Sequence, residues 1–489
     1  MLNRYQSFAD ISLVTIIGFV LRFINLENYP RWYVDEGNYA QLAINMFHLH
    51  WGYVTRGPNF FPPLFVAMEG LFLSVLGDGY FVARLPAALM GTASCALLFI
   101  LVKKLSGRFP AIVSAVLLAL SSTYINRMAL QDNAVEFFLV LSVVLYLKVE
   151  ESDQKIWKLL LGLSSGFAFL SKYTGIVAIL YVIIQSMVSG KLSKMKISIM
   201  TFATLGLIHP AIGLVLDWDG FVAETLRIYA MREFDPLNIL LLFLVGAPAS
   251  QTEIWGSPSG GTVIPRTPLQ IFSLVGFVST LYVVLASRKR SGQLVSALVI
   301  SLILTAVLAG YVWWGWLAYL YPTYSFAISI TLFDSVSTRI VGFHNVLKLA
   351  ASKASFWLVA LIIIATIAIL LGTPFHSLDG KIAYFVWVAL LSVFLASVSQ
   401  FCPIKKMIPV IFVIFLISVP TTFQLQQMSL VANLDQVAVV DYLNKHTLNS
   451  DLVASNAAIT WLLTAKGVDY AEVAFYTTCL LYTSDAADE

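Results

Sequence analysis

Charged residues are scarce in this chain. They make up 12% of its 489 residues, whereas hydrophobic residues reach 59% and the mean hydropathy is +0.83. An ordinary soluble protein carries about 25% charged residues. The composition therefore excludes a soluble globular protein and predicts a polytopic membrane protein.

Cysteine and clustered histidine are also lacking. The three cysteines are too few for a disulfide framework, and no pair has the spacing of metal ligands. The histidines are scattered, and His48 and His50 point away from each other on a helix. No cofactor is apparent from the sequence, although a divalent metal stays an open alternative. No basic patch is present that would favour a nucleic acid partner.

The first apolar run, Ile11 to Ile24, has no small-residue cleavage site after it and predicts a signal-anchor helix with a cytoplasmic N-terminus. Further apolar runs predict an all-α protein with about 13 transmembrane helices. Their predicted bounds are 8–26, 84–103, 109–126, 133–149, 156–171, 173–190, 197–216, 268–287, 293–311, 317–334, 355–372, 382–401 and 407–423.

Basic residues support this topology. With the N-terminus inside, every predicted inner loop contains lysine or arginine, which is the bias expected for cytoplasmic loops. An odd number of spans places the C-terminal segment on the outer face of the cell membrane. The inner-loop bases are Lys103, Lys104, Arg108, Lys148, Lys155, Lys158, Lys191, Lys194, Lys196, Arg288, Lys289, Arg290, Arg339, Lys348, Lys353, Lys405 and Lys406.

Two long outer loops interrupt the predicted transmembrane domain, 1–423. The first loop, 27–83, has an amphipathic pattern from Glu36 to His50 and a short apolar stretch from Pro63 to Leu76, which predict two interfacial helices. The second, 217–267, contains an apolar piece from Leu237 to Val245 that is consistent with a re-entrant segment.

Soluble sequence follows the last predicted span. Residues 424–478 predict the start of an outer α/β domain, with a helix at Asp435–Leu443, a strand at Leu452–Ser455 and a helix at Ile459–Lys466. Residues 479–489 resemble the translation of a transposase sequencing adapter, so we expect a truncated domain whose natural chain continues past about residue 478.

Ionisable residues gather at the outer ends of the predicted helices. Charges at such positions are costly and are therefore functional candidates. Cations suit a phosphate, and a positioned carboxylate suits the proton of a hydroxyl nucleophile. The set comprises Asp35, Glu36, Arg84, Arg127, Asp132 and Lys172.

Each of these residues also has a purely structural interpretation. Asp35 could cap a helix that begins at Glu36, and Asp132 could cap the fourth predicted span. Arg84 and Arg127 could be interfacial anchors, and Lys172 could satisfy carbonyls at a tight turn. Their common location on the side of the acidic loop favours the functional interpretation.

The ordered set of motifs resembles the glycosyltransferase C superfamily, in the branch of protein O-mannosyltransferases and lipid A aminoarabinose transferases. The resemblance covers about residues 1–190 and continues through Tyr319-Leu320-Tyr321-Pro322. The motifs that carry it are Asp35-Glu36 with Tyr39-Ala40, Pro62-Pro63-Leu64, Arg84-Leu85-Pro86, Arg127 to Asp132, and Leu170-Ser171-Lys172.

This resemblance implies an inverting transfer of one sugar, mannose-like or a modified pentose, from a polyprenyl-phosphate donor. The acceptor would be a protein, lipid or glycan at the outer membrane face. Asp35 would be the base, and Glu36 would hold the acceptor. The donor phosphate would bind Arg84, Arg127 and Lys172, whereas Asp132, Tyr319 and Tyr321 would order the site.

The chain departs from the family pattern at two positions. Phe61 stands where many relatives have His or Lys before the Pro-Pro pair, and Arg56 is the nearest cation that could substitute. Ala318 stands where a basic residue often precedes the Tyr-Leu-x-Pro motif. These differences predict a specificity unlike that of the best-known members.

Three other functions are compatible with some of these features. An oligosaccharyltransferase would need a Trp-Trp-Asp motif, but Trp313-Trp314-Gly315-Trp316 has no Asp and is typical of an interfacial aromatic belt. A lipid-linked glycan polymerase or ligase is a second enzyme alternative. A transporter of a lipid-linked or small anionic solute is the alternative from another class, although no repeated halves are visible.

Overall fold

The computed structural model of the protein is a helical bundle. The model describes residues 2–30, 33–47, 62–216, 218–219, 221–222, 236–245, 266–286, 289–309, 312, 314–333, 434–448, 452–455, 462 and 466–469. The N-terminal helices are α1 (Leu2–Phe23), α2 (Val34–Phe47), α3 (Pro63–Leu76), α4 (Tyr80–Ser106), α5 (Arg108–Ser121), α6 (Thr123–Asn126), α7 (Gln131–Glu151), α8 (Lys155–Ser171), α9 (Ile176–Val188) and α10 (Lys196–Leu216).

The later elements follow in chain order. They are α11 (Pro236–Val245), α12 (Arg266–Ala286), α13 (Arg290–Ala309), α14 (Leu317–Phe333), α15 (Leu434–His446), β1 (Leu452–Ser455) and β2 (Lys466–Asp469). Short 3-10 turns lie at Tyr173–Gly175, Leu192–Met195 and Trp314–Trp316.

The first ten predicted spans coincide with described helices. These are α1, α4, α5 together with α6, α7 to α10, and α12 to α14. Four of the described helices are long and apolar enough to cross a membrane by themselves, within Gln6–Phe23, Tyr80–Ser106, Leu192–Val215 and Arg290–Ala309. The predicted spans at 355–372, 382–401 and 407–423 lie outside the described residues.

The first outer loop folds as two short helices that pack against each other, α2 and α3. α3 has the predicted bounds, Pro63 to Leu76, because Pro63 at its first position and Gly77 after it begin and end a helix favourably. α2 ends at Phe47, so the rest of the predicted helix, with His48 and His50, lies outside the described residues.

The helices after the two long loops also match the sequence. α11 coincides with the apolar piece of the second outer loop, and the Tyr324 hydroxyl on α14 donates a hydrogen bond to the Phe243 carbonyl there. In the C-terminal segment, α15 and β1 are present as predicted. β1 pairs in parallel with β2, which begins at Lys466, so the prediction of a helix through Lys466 is wrong at that end.

The core of the bundle is formed by α4, α5, α7 and α14. α4 buries most of its length, because it packs against α1, α5 and α7 on different sides. A row of fully buried tyrosines on α14, Tyr319, Tyr321 and Tyr324, lies between these helices. The buried polar residues of the bundle concentrate at the ends of α1, α5 and α7, where α2 also packs.

Candidate active site

The first turn of α2 carries the two acidic residues of the Asp35-Glu36 motif. The helix begins at Val34, so the alternative in which Asp35 caps a helix beginning at Glu36 is wrong about the helix start. Both carboxylates lie in the first turn, where the helix dipole favours negative charge. Within the described part of the chain, no residue donates a hydrogen bond to the Asp35 side chain, which is partly exposed. Its carboxylate therefore has no described hydrogen-bond donor, and its role as the base stays a prediction.

Glu36 and Arg84 form a fully buried, bidentate ion pair. Arg84 Nε lies 2.8 Å from Glu36 Oε1, and Arg84 Nη2 lies 2.9 Å from Glu36 Oε2. The Glu36 oxygens also accept bonds from the backbone amides of Tyr33, at 3.0 Å, and Ala129, at 2.8 Å. Parallel charge-assisted bonds of this kind are strong and fix orientation. The pair connects α2 to α4, and the Ala129 contact connects α2 to the turn before α7. Acceptor binding by Glu36 and phosphate binding by Arg84 stay predictions.

Asp132 is the centre of a second buried cluster. Lys172 Nζ donates to both of its oxygens, at 3.0 and 2.8 Å, and the Tyr319 hydroxyl donates to Oδ1. The Tyr319 hydroxyl also lies 3.1 Å from Thr174 Oγ1. Three of the predicted site residues therefore converge from α7, from the turn after α8 and from α14. Thr174 was not predicted, although its place two residues after Lys172 could have indicated it.

The pKa of Asp35 depends first on burial and then on the charges of this cluster. Burial raises the pKa of the Asp35 carboxyl to about 6, and the nearby Lys172 ammonium partly opposes that rise. The Asp132 and Glu36 carboxylates add to the increase. A carboxyl group with a pKa close to neutrality is suited to take up a proton during a reaction, since an effective general base has a pKa near the working pH.

Arg127 is buried at the end of α6. Its Nε donates to the Tyr29 carbonyl at 2.9 Å, and its Nη1 donates to the carbonyls of Leu21, at 2.8 Å, and Arg22, at 3.2 Å. Its Nη2 has no hydrogen-bond partner in the structure. Arg127 therefore holds the C-terminal end of α1, and the two N–H groups on its Nη2 are not used by any described residue.

Two predicted residues are not brought into these clusters. The Tyr321 ring packs edge-on against Phe272 of α12, with ring centroids 5.3 Å apart. Residues two apart on a helix point to different sides, so Tyr321 faces away from the Asp132 side of α14. Arg56 lies outside the described residues. Among the residues that are described, no group of three or more His, Cys, Asp or Glu side chains could hold a metal ion.

Comparisons with known proteins support a family assignment for part of the chain. The family described as dolichyl-phosphate-mannose-protein mannosyltransferase matches residues 61–213. That range contains Arg84, Arg127, Asp132 and Lys172 but not Asp35. A comparison with curated proteins found no match.

Solved structures show the same fold. ArnT from Cupriavidus metallidurans, solved with bound undecaprenyl phosphate, has a TM-score of 0.64 at 15% identity, with 94% of this chain and 85% of ArnT covered. At this identity the likeness shows that the two proteins share a fold. The prediction of an all-α GT-C membrane fold is confirmed by this likeness.

Two more distant GT-C structures agree. Arabinosyltransferase EmbB from Mycobacterium smegmatis has a TM-score of 0.52 at 13% identity, over 88% of this chain and 41% of EmbB. The oligosaccharyltransferase AglB from Archaeoglobus fulgidus, in complex with an inhibitory peptide and dolichol-phosphate, has a TM-score of 0.50 at 12% identity, over 96% of this chain and 64% of AglB. The GT-C bundle is therefore common to all three.

Proposed function

We propose that this protein is a membrane glycosyltransferase that moves one sugar, mannose-like or a modified pentose, from a polyprenyl-phosphate donor to a protein, lipid or glycan acceptor. The transfer inverts the anomeric configuration. The observation that carries this proposal is the Asp35 carboxylate, which no described residue hydrogen-bonds and which lies within the field of the Lys172–Asp132 pair. The family match over residues 61–213 and the GT-C fold support it.

The reaction needs a base for the acceptor. The acceptor hydroxyl oxygen attacks the anomeric carbon of the sugar, and its proton passes to the Asp35 carboxylate. The bond between the anomeric carbon and the phosphate oxygen breaks at the same time, and polyprenyl phosphate leaves with the electron pair. One displacement of this kind inverts the anomeric carbon, and the carboxylate contributes by accepting the proton in the transition state.

The leaving phosphate needs positive charge. Lys172 is slightly exposed and already oriented by Asp132, so its ammonium can stabilise the charge that develops on the phosphate. The two remaining N–H groups on Arg127 Nη2 are further donors on the same side of the bundle. Arg84, which is paired with Glu36, contributes through its field and through the position of α2.

The contacts at the two ends of α7 support an orientation in the membrane. Asp132 stands in its first turn, whereas Glu150 near its other end contacts Lys191, at 2.9 Å, and Arg290. The 21 residues of α7 rise about 30 Å, which is the thickness of the hydrocarbon core. Because basic ends face the cytoplasm, we place the candidate site on the outer face of the cell membrane, with the N-terminus inside.

The direct test uses the full-length protein in proteoliposomes. Radiolabelled polyprenyl-phosphate monosaccharides are offered one at a time with acceptor-rich membrane extract, and sugar release is compared between wild type and Asp35→Asn. Consumption of one donor, with loss of most activity in the variant, is the expected result. Asp78→Asn is the matched control, because Asp78 is an exposed acid in the turn between α3 and α4.

Two outcomes would contradict parts of the proposal. Equal donor consumption by wild type and Asp35→Asn would leave the enzyme class in place and remove Asp35 as the base. Absence of consumption with every donor would overturn the transferase, and flux of small anionic solutes would then be measured.

A further inference from the structure

A buried amide links two charges behind the candidate site. Asn126, at the end of α6, is fully buried and accepts hydrogen bonds at Oδ1 from Arg22 Nη2, at 2.7 Å, and from Arg22 Nε, at 3.1 Å. Its Nδ2 donates to Glu136 Oε2, at 2.8 Å, and to Asn133 Oδ1, at 2.8 Å. Every hydrogen-bonding position of the amide is therefore used.

The side-chain type is dictated by this arrangement. Arg22 offers only donors, and an ionised Glu136 offers only acceptors, so the group between them must accept on one side and donate on the other. Among side chains of this size, a carboxamide does both. Arg22 and Glu136 are themselves fully buried, and an unpaired charge there would be costly.

The surrounding backbone is built for this contact. Gly91 of α4 faces Asn126 so closely that a Cβ atom on Gly91 would lie 2.4 Å from Asn126 Cγ. Arg22 comes from the last turn of α1, and Glu136 comes from α7. The amide therefore joins three helices of the bundle at one point.

The turn that follows Asn126 carries the site. Asn133, which is bonded to Asn126, donates through Nδ2 to the backbone carbonyls of Ile125, at 3.1 Å, and Met128, at 2.8 Å. The turn held in this way presents Arg127, the Ala129 amide that bonds Glu36, and Asp132. The position of each depends on the geometry of residues 125–130.

We propose that Asn126 is a positioning residue for the transferase reaction, which acts by bridging Arg22 and Glu136 so that the 125–130 turn holds Asp132 and Ala129 in place. The inference rests on the proposed function for its catalytic consequence. Its structural half, the order of the turn, is independent of any activity.

The test exchanges the roles of two residues. Asn126→Asp keeps the acceptor for Arg22 but replaces the donor to Glu136 with an oxygen, so two carboxyl groups meet. Glu136→Gln alone keeps an acceptor for the Asn126 amide. The double variant Asn126→Asp, Glu136→Gln restores one donor and one acceptor across the contact with residue 136 and keeps one negative charge beside Arg22, but it leaves Asn133 Oδ1 without its donor. Ser142→Ala is the control, because Ser142 is a buried hydrogen-bonding residue on α7, 3.0 Å from Ser164 and away from the turn.

Two measurements separate positioning from general instability. Hydrogen exchange of the Ala129 amide in the purified protein reports the turn directly, and steady-state kinetics with the accepted donor report the site. For Asn126→Asp we expect exchange at Ala129 to speed up about tenfold and kcat to fall about tenfold, with a smaller change in KM, since the loss of one buried hydrogen bond is worth about that factor. The double variant is expected to recover part of the loss, since the contact with residue 136 is restored and the bond to Asn133 Oδ1 is not.

Each outcome decides the inference. Recovery in the double variant supports the inference. Slow exchange of the Ala129 amide together with full activity in Ser142→Ala also supports it. Unchanged exchange in Asn126→Asp, or a double variant that recovers nothing relative to the single variant, overturns it. A wild-type protein that consumes no donor refutes the proposed function instead, and the exchange data then still decide whether Asn126 holds the turn.

Discussion

The backbone of Gly175 approaches that of Ala168 so closely that a Cβ atom on Gly175 would lie 2.0 Å from the Ala168 carbonyl oxygen. The same turn is closed by a hydrogen bond from the Gly175 amide to the Lys172 carbonyl, at 2.7 Å. Lys172 and Thr174, which contact Asp132 and Tyr319, belong to this turn. Only glycine allows the approach, so Gly175 sets the position of the Lys172 ammonium.

Gly175→Ala is therefore expected to lower kcat at least about tenfold. The new Cβ atom forces the turn to shift, and a displacement of about 1 Å can cost about a hundredfold in rate. The measurement is donor consumption at saturating acceptor. Gly206→Ala is the matched control, since a Cβ atom there meets its nearest neighbour at an ordinary 3.4 Å. Equal activity of the two alanine variants would show that the turn tolerates displacement.

The pH dependence of kcat/KM should report Asp35. The raised pKa of about 6 means that the carboxylate is protonated below that pH. A base must be deprotonated to act, so we expect activity to fall as the pH drops through about 6 and to level off above it. A Lys172→Met variant should move this limb to higher pH, because the ammonium favours the ionised form of Asp35. A limb in the same place in both proteins would assign the titration to another group.

The Tyr319 hydroxyl is expected to matter for the rate. Tyr319→Phe removes the donor to Asp132 and the contact with Thr174, which leaves Asp132 oriented by Lys172 alone. The expected loss of kcat is about tenfold, in line with one charge-assisted hydrogen bond. Tyr181→Phe provides the comparison, because the buried Tyr181 hydroxyl has no hydrogen-bond partner in the structure. A similar effect of both substitutions would argue for a packing defect.

The Glu36–Arg84 pair is expected to be a main source of stability for the first outer loop. Arg84→Met leaves a buried carboxylate without its cation, which typically costs about 3–5 kcal/mol. The thermal unfolding midpoint in detergent should fall markedly. Lys148→Met, which breaks a half-exposed pair with Glu151 at 3.9 Å, should cost less than about 1 kcal/mol. Adding Glu36→Gln to Arg84→Met should recover part of the loss, and a further decrease would contradict the pairwise explanation.

A buried acid on α3 gives a simple expectation. Glu69 is fully buried, and neither of its carboxyl oxygens has a hydrogen-bond partner in the structure. Burial and the Glu36 charge raise the pKa of the Glu69 carboxyl well above its usual range. Glu69→Gln should therefore leave the unfolding midpoint nearly unchanged below pH 4.5, where the acid is neutral in the folded and the unfolded state, and raise the midpoint at neutral pH, because the wild-type acid ionises on unfolding. A large loss at neutral pH would indicate an ionised Glu69.

The bundle was predictable where the sequence is strongly apolar. The bounds of α3, α8 and α10 follow from apolar runs ended by glycine, proline or lysine, because burial in lipid leaves little freedom in where a helix begins and ends. The grouping of Asp132, Lys172 and Tyr319 in one site was also expected. That expectation came from the family resemblance, since hydropathy places residues at a membrane face but does not show which of them are in contact.

The partners of individual charges were not predictable. Glu36 was expected to meet an acceptor, and Arg84 a phosphate, but in the structure each is the other's partner across 48 residues. The Asn126 network was not predicted, because an uncharged asparagine in an apolar sequence does not stand out as a functional candidate in the way that a charged residue does. Both cases depend on which helices cross, and this tertiary information is absent from the local pattern.

α7 has a consequence for how the two membrane faces are related. One end contacts Lys172 and Tyr319 through Asp132, and the other end contacts Lys191 and Arg290 through Glu150. A shift of this helix by one turn, about 5.4 Å, would break both sets of contacts together. A single rigid element therefore links the two ends of the bundle, and a change that moved α7 at the Glu150 end would also displace the candidate site.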